Sequence, residues 1–181
     1  MKNLNIEKLN ISFPKESNKH IISYLTGHTS WSFATDLGQD HLIRNNITKK
    51  NGNDYGFFNR TFDRESDHKK DDFLNTMAQT IKNMIDEKSS FNIGQIQRIY
   101  WNMYVSSSQM VYHRDKEVGD NCVSIVYNLH DNDGGTDFKD YKIITSKESQ
   151  AIVFRSELLH KGVASKIIPF RFSLNMVCKT A

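Results

Sequence analysis

His113 and Asp115 stand two residues apart in Val111-Tyr112-His113-Arg114-Asp115. Residues i and i+2 of a strand point the same way, so both side chains can reach one ion. A second histidine must then come from a distant strand. His160 lies 47 residues later, at the end of Ala151-Ile152-Val153-Phe154-Arg155-Ser156-Glu157-Leu158-Leu159-His160. Two imidazoles and one carboxylate on one octahedral face leave the other positions of a redox-active iron open. Arg171 follows 11 residues after His160. Its planar fork suits a carboxylate, which it meets through two parallel hydrogen bonds.

These residues need strands to hold them, and from residue 91 the chain reads with period two. Short β-rich runs are expected at 96–104, 109–115, 122–130, 140–145, 150–155 and 168–178. Turn signals such as Ser106-Ser107-Ser108 and Asp131-Asn132-Asp133-Gly134-Gly135 separate them. The alternation assigns faces. Ile99, Trp101 and Met103 share one side of their strand, and Tyr100, Asn102 and Tyr104 share the other. Phe170, Phe172, Leu174 and Met176 oppose Arg171, Ser173 and Asn175 in the same way. The apolar faces are expected to pack on helices and the polar faces to line a pocket.

The first half supplies two helix candidates. One spans roughly 14–26, with Pro14 in the first turn and Gly27 as a stop. The other spans roughly 69–88, where Phe73, Leu74, Met77, Ile81, Met84 and Ile85 follow helical spacing and Asp71 and Asp72 favour the first turn. Between them, Asn45 to Arg60 reads as a long surface loop carrying Tyr55, Phe57 and Phe58, with a lid as one of its readings. The expected layout is one domain over 1–181. Residues 1–95 form a helical support layer with loops, and residues 96–178 form the core with the metal site.

The ordered set resembles the Fe(II)/2-oxoglutarate-dependent dioxygenases, above all the prolyl 4-hydroxylase-like branch and its small phage homologues. The resembling block covers about two-fifths of the chain, from Tyr104 to Met176. It contains His113-Arg114-Asp115, then Val126-Tyr127-Asn128-Leu129 with Gly134-Gly135-Thr136-Asp137-Phe138, then Leu159-His160-Lys161-Gly162-Val163, then Arg171-Phe172-Ser173-Leu174. The resemblance implies a mostly β fold with supporting α-helices, a double-stranded β-helix or jelly roll. It implies that His113, Asp115 and His160 bind Fe(II), and that Arg171 takes the distal carboxylate of 2-oxoglutarate. Ser173 matches an Arg-x-Ser pair, and Asn102 with Tyr104 matches the Asn-x-Tyr cosubstrate contacts of the nucleic-acid-demethylating branch. The implied reaction consumes O₂ and 2-oxoglutarate and releases succinate and CO₂ while a substrate is hydroxylated. Two departures stand out. The second arginine of the demethylating branch falls on Val177, and the hairpin reads Tyr-Asn-Leu rather than Tyr-Leu-Asn.

The remaining residues read more plainly. His130 sits in an Asp/Asn/Gly turn and is expected to be solvated. His20, His28, His41 and His68 carry no assigned chemistry. Arg114 and Arg155 read as surface or strand-edge charges, with the pocket wall as a second place for Arg155, and Tyr127 belongs to either core or pocket wall. Cys122 and Cys178 are too few for a disulfide framework and read as buried small hydrophobes. The chain has 181 residues and a net charge of +3, with no basic block, which argues against a nucleic-acid partner. No apolar run approaches 18 residues and the N-terminus lacks the apolar core of a signal peptide, so a cytoplasmic setting is expected, the host cytoplasm if the protein is viral. The substrate is expected to be a peptidyl proline or a small molecule. The alternatives are an oxidative nucleic-acid demethylase and a non-catalytic cupin-like binding or virion module.

Overall fold

A computed structural model describes residues 5–35, 55–64, 68–69, 71–108, 110–116, 118–139 and 141–181. Eleven strands and two helices are present among them. They are β1 (Ile6–Asn10), α1 (Lys15–Gly27), β2 (Ser32–Thr35), β3 (Tyr55–Asp63), β4 (His68–Lys69) and α2 (Asp72–Asp86) in the first half. The second half carries β5 (Ile93–Val105), β6 (Cys122–Asn128), β7 (Gly135–Phe138), β8 (Ile143–Thr145), β9 (Gln150–Arg155), β10 (His160–Val163) and β11 (Phe170–Thr180). The strands form an antiparallel eight-stranded sheet, β1-β9-β6-β11-β5-β3-β2 with β4 beside β3, and a three-stranded sheet, β10-β7-β8. This is the mostly β, two-sheet plan expected of a jelly roll.

The apolar pattern explains why two layers cover the large sheet. β6 and β9 have almost no polar face, because both of their sides are buried. Ile125, Tyr127, Ala151 and Val153 face one way and join Trp101, Phe172, Leu174 and Met176 in the main core. The helices close that core with Ile21 and Leu25 from α1 and Leu74, Ala78, Ile81 and Ile85 from α2. On the opposite side Val126, Ile152 and Phe154 pack against Phe138 and Ile144 of the small sheet. The small sheet comes close because Gly135 has no side chain, and a Cβ there would run into the Ile144 carbonyl oxygen.

Several expectations need correction. Pro14 and Asp71 stand just outside their helices rather than in the first turns, and the Asp71 side chain caps α2 by accepting the Leu74 N–H at 2.9 Å. Phe57 and Phe58 are not loop residues, since β3 pairs with β5 from Phe57↔Met103 to Asp63↔Arg98. The rest of the loop reading, 45–54, lies outside the described residues. The first half is therefore not only a helical layer, because β1 to β4 all join the large sheet. Residues 110–115 of the run expected at 109–115 form no strand either. They touch the small sheet through a single bridge, His113↔His160, and so lack a continuous ladder. Among the described residues no helix is long and apolar enough to cross a membrane.

Candidate metal centre

The backbone bridge sets the two histidines side by side. His113 N–H donates to the His160 carbonyl at 2.9 Å, and His160 N–H donates to the His113 carbonyl at 3.0 Å. Asp115 N–H donates to the Ser156 carbonyl at 3.0 Å, fixing the next residue of the segment. The irregular segment thus places His113 and Asp115 as a strand would have, at less regular cost. The candidate ligand atoms of His113, Asp115 and His160 all lie within 4.8 Å of one another, and the three could hold a metal ion.

Hydrogen bonding fixes what each group offers. Nδ1 of His113 lies 3.1 Å from the Val111 carbonyl, and Nδ1 of His160 lies 2.8 Å from the Leu158 carbonyl. A carbonyl only accepts, so Nδ1 carries a hydrogen in both rings, which leaves Nε2 as the nitrogen that can offer a metal its lone pair. Burial, reinforced by the neighbouring His160, pushes the His113 imidazole down to about 4, so it is neutral near pH 7. Burial alone would raise the Asp115 carboxyl, yet Arg98 and the two imidazoles hold it well below the usual carboxylate range. Asp115 Oδ1 accepts from Arg98 at 2.6 Å, and Oδ2 accepts from Ser124 Oγ at 2.6 Å. His160 Nε2 lies 3.5 Å from Asp115 Oδ2. A cation lying among the His113 and His160 Nε2 atoms and the Asp115 carboxylate would be met by three donors at once. The donor set therefore fits a divalent metal.

At the other end of the same pocket the imbalance is reversed. Arg171 is 1% exposed, yet among the described residues no carboxylate meets it. Its Nε donates to Ser146 Oγ at 2.9 Å and one Nη reaches Asn128 Oδ1 at 3.4 Å. Its guanidinium lies 5.0 Å from the Tyr104 ring centre, across the strand pair Arg171↔Tyr104. Burial lowers its pKa and Tyr104 opposes the shift. A buried guanidinium with only neutral partners fits an anionic ligand such as a carboxylate. Ser173 and Asn102 lie directly opposite each other on the same pocket floor. Gly162 makes room for Tyr104, since a Cβ there would fall 2.8 Å from that ring.

All seven residues singled out from sequence line one pocket: Asn102, Tyr104, His113, Asp115, His160, Arg171 and Ser173. Arg98 was missed. It shares the face of Tyr100, Asn102 and Tyr104 by the same alternation, so extending the pattern two residues upstream would have found it. It pairs directly with Val177, the position where the demethylating branch has its second arginine. Ser124 was hidden inside an apolar run and carries no local signal. Arg114 belongs to the pocket wall rather than the surface, with its Nε donating to the Glu157 carbonyl at 2.9 Å. Arg155 lies outside the pocket and reaches Asn121 Oδ1 at 3.4 Å. His130 is half-buried and bonded rather than simply solvated. Its Nε2 accepts the Phe172 N–H at 3.0 Å, and burial lowers its pKa. Tyr127 is fully buried in the core, bonded to Asn18 and Ser149. Both cysteines are buried, and burial pushes the Cys178 thiol up to about 12.

No family model matches the chain, and no curated protein matches it. Solved structures do. A viral collagen prolyl hydroxylase from Paramecium Bursaria Chlorella virus-1 is 12% identical, with a TM-score of 0.57 over 97% of this chain and 90% of that one. HygX from Streptomyces hygroscopicus, solved with nickel, 2-oxoglutarate and hygromycin B bound, is 9% identical, with a TM-score of 0.63 over 98% and 84%. A 2OG-Fe(II) oxygenase family oxidoreductase from Burkholderia pseudomallei is 16% identical, with a TM-score of 0.63 over 99% and 88%. The chain has the fold of the 2-oxoglutarate-dependent oxygenases.

Proposed function

We propose that this protein is an Fe(II)- and 2-oxoglutarate-dependent dioxygenase that hydroxylates a peptidyl proline or a small molecule. The observation that carries this reading is the opposed pair of sites in one pocket. A cluster of the half-buried His113 with the buried Asp115 and His160 suits a cation, and the buried Arg171 guanidinium suits an anion. When bound, iron with 2-oxoglutarate and O₂ supplies the oxidation that yields succinate, CO₂ and a hydroxylated product. His113, Asp115 and His160 would hold the iron. Arg171 would take the distal carboxylate, with Tyr104 packed against its guanidinium and Ser173 and Asn102 beside it. Arg98 and Ser124 keep Asp115 ionised and oriented. The pocket walls are apolar at Val126 and Met110, which limits water beside the reacting groups. The substrate classes follow from the like-folded viral collagen prolyl hydroxylase and from HygX with its bound hygromycin B. A reducing compartment suits the two buried free thiols.

The test is succinate formation from 2-oxoglutarate by protein reconstituted anaerobically with Fe(II) and then exposed to O₂. Succinate above a protein-free control, abolished by chelator, supports the reading. Failure of Mn(II) to promote 2-oxoglutarate binding in a calorimetric titration would overturn it.

A further inference from the structure

The pocket floor is a small grid. Along β11, Arg171, Ser173, Asn175 and Val177 occupy successive rows, and along β5 their partners are Tyr104, Asn102, Tyr100 and Arg98. The first row is cationic and fits the anion. In the last, Arg98 and Ser124 flank Val177 and together hold Asp115. The row between the metal end and Asn102 is different. It carries two neutral polar groups, the Asn175 carboxamide and the Tyr100 hydroxyl.

Neither group has a hydrogen-bond partner among the described residues. Asn175 is 8% exposed, and its Oδ1 is buried with nothing to accept from. A buried amide oxygen left without a partner destabilises the fold, and, unlike Asn59, Thr61 and Asn75, Asn175 lines the pocket, where a ligand can supply the missing donor. The Tyr100 ring is held in place, with Arg98 4.5 Å from its centre and Phe58 stacked at 5.4 Å. Its hydroxyl is therefore a fixed group on the pocket wall. The row lies two residues along each strand from the row that holds Asp115, about 7 Å away.

We propose that Asn175 and Tyr100 form a recognition subsite for a neutral amide-type edge of the substrate, one donor and one acceptor side by side, as in a lactam or a primary amide. A carboxamide offers an N–H and a carbonyl oxygen on one edge, so it closes a two-bond ring with the complementary edge of another amide. An anion would satisfy the N–H and bring its charge against Oδ1. Anion binding is already provided by Arg171, two rows away. An amide held here puts its neighbouring C–H bonds beside the metal cluster. That last consequence rests on the oxygenase reading, whereas the binding itself does not require metal.

The test uses small probes and the intact protein. Side-chain amide signals are followed by ¹⁵N NMR in the metal-free protein and in protein loaded with Zn(II) and 2-oxoglutarate. The Asn175 pair is assigned by its loss in Asn175→Leu. Titration with 2-pyrrolidinone is expected to shift that pair, while acetate and methylphosphonate leave it in place. Asn175→Leu is expected to weaken 2-pyrrolidinone binding at least fivefold, and Tyr100→Phe at least twofold. Asn175→Ser gives the same comparison if leucine disturbs packing. Failure of 2-pyrrolidinone to bind, binding unchanged in both Asn175 variants, or a preference of this site for either anion would overturn the inference. Absence of succinate formation in the same preparations would instead overturn the oxygenase reading and leave the subsite standing.

Discussion

The two ends of the pocket are built by different means. The Arg171 end rests on regular strands, with β5, β11 and β6 side by side and every side chain placed by register. The metal end rests on an irregular segment pinned by one bridge to His160 and one bond to Ser156. The ends are also electrically opposite. One gathers two imidazoles and a carboxylate, and the other buries a guanidinium that meets no carboxylate among the described residues. Regular strands suit a single long side chain that must span a fixed distance. The candidate metal cluster obtains two same-facing side chains from a segment held at only these points, without a continuous ladder.

The largest expected break of this contrast is at the metal end. His113→Ala or Asp115→Ala should lower succinate formation at least about 100-fold, since removing a ligand exceeds the loss from an outer partner. Turnover within a few-fold of the parent protein would contradict the cluster's role. At the opposite end, Arg171→Met should raise the 2-oxoglutarate half-saturation by about 10- to 100-fold, the loss of a charge-assisted contact. Mn(II) affinity should stay unchanged. The same variant should melt at an equal or higher temperature, because it removes an uncompensated buried charge. A lower melting temperature with unaltered cosubstrate binding would make Arg171 merely structural.

A milder change sharpens the picture. Gly162→Ala places a Cβ against Tyr104, so 2-oxoglutarate binding should weaken a few-fold while stability falls slightly. The smallest effect concerns pH. Burial lowers the His130 pKa, so the unfolded chain binds this proton more readily than the folded one. Its contribution is fully present above the unfolded histidine value of about 6.5 and is lost as pH falls below it. Urea titrations of metal-free protein should show stability declining from pH 7 to 5, with a shallower slope for His130→Phe. An identical slope would remove His130 from the account.

The legible part of this protein was its alternation. Tyr100, Asn102 and Tyr104 on β5, and Arg171, Ser173 and Asn175 on β11, line the pocket as their period-two pattern predicts. Side-chain direction along a strand is a local property, so sequence reveals it. The α2 face followed for the same reason at Leu74, Ile81 and Ile85, whereas Phe73 at its edge is exposed. Less of the surrounding frame could be read. The Phe57-Phe58 stretch looked like a loop, because only its pairing with β5 makes it a strand. His130 looked solvated, because nothing local shows that Phe172 would cover it.

The sequence by itself determined which chemistry was available and which face of each strand would carry it. Residue type and a period of two are written along the chain. Tertiary structure decided who stands beside whom. The pairing Val177↔Arg98 supplies a guanidinium to Asp115 from β5. The pairing Asn175↔Tyr100 sets two neutral polar residues side by side in the pocket lining, and Asn175 Oδ1 has no partner among the described residues. Both depend on the register between strands some 75 residues apart in the chain. That register is set by the burial of the whole sheet, since a slip of one residue would turn Trp101 and Leu174 out of the core.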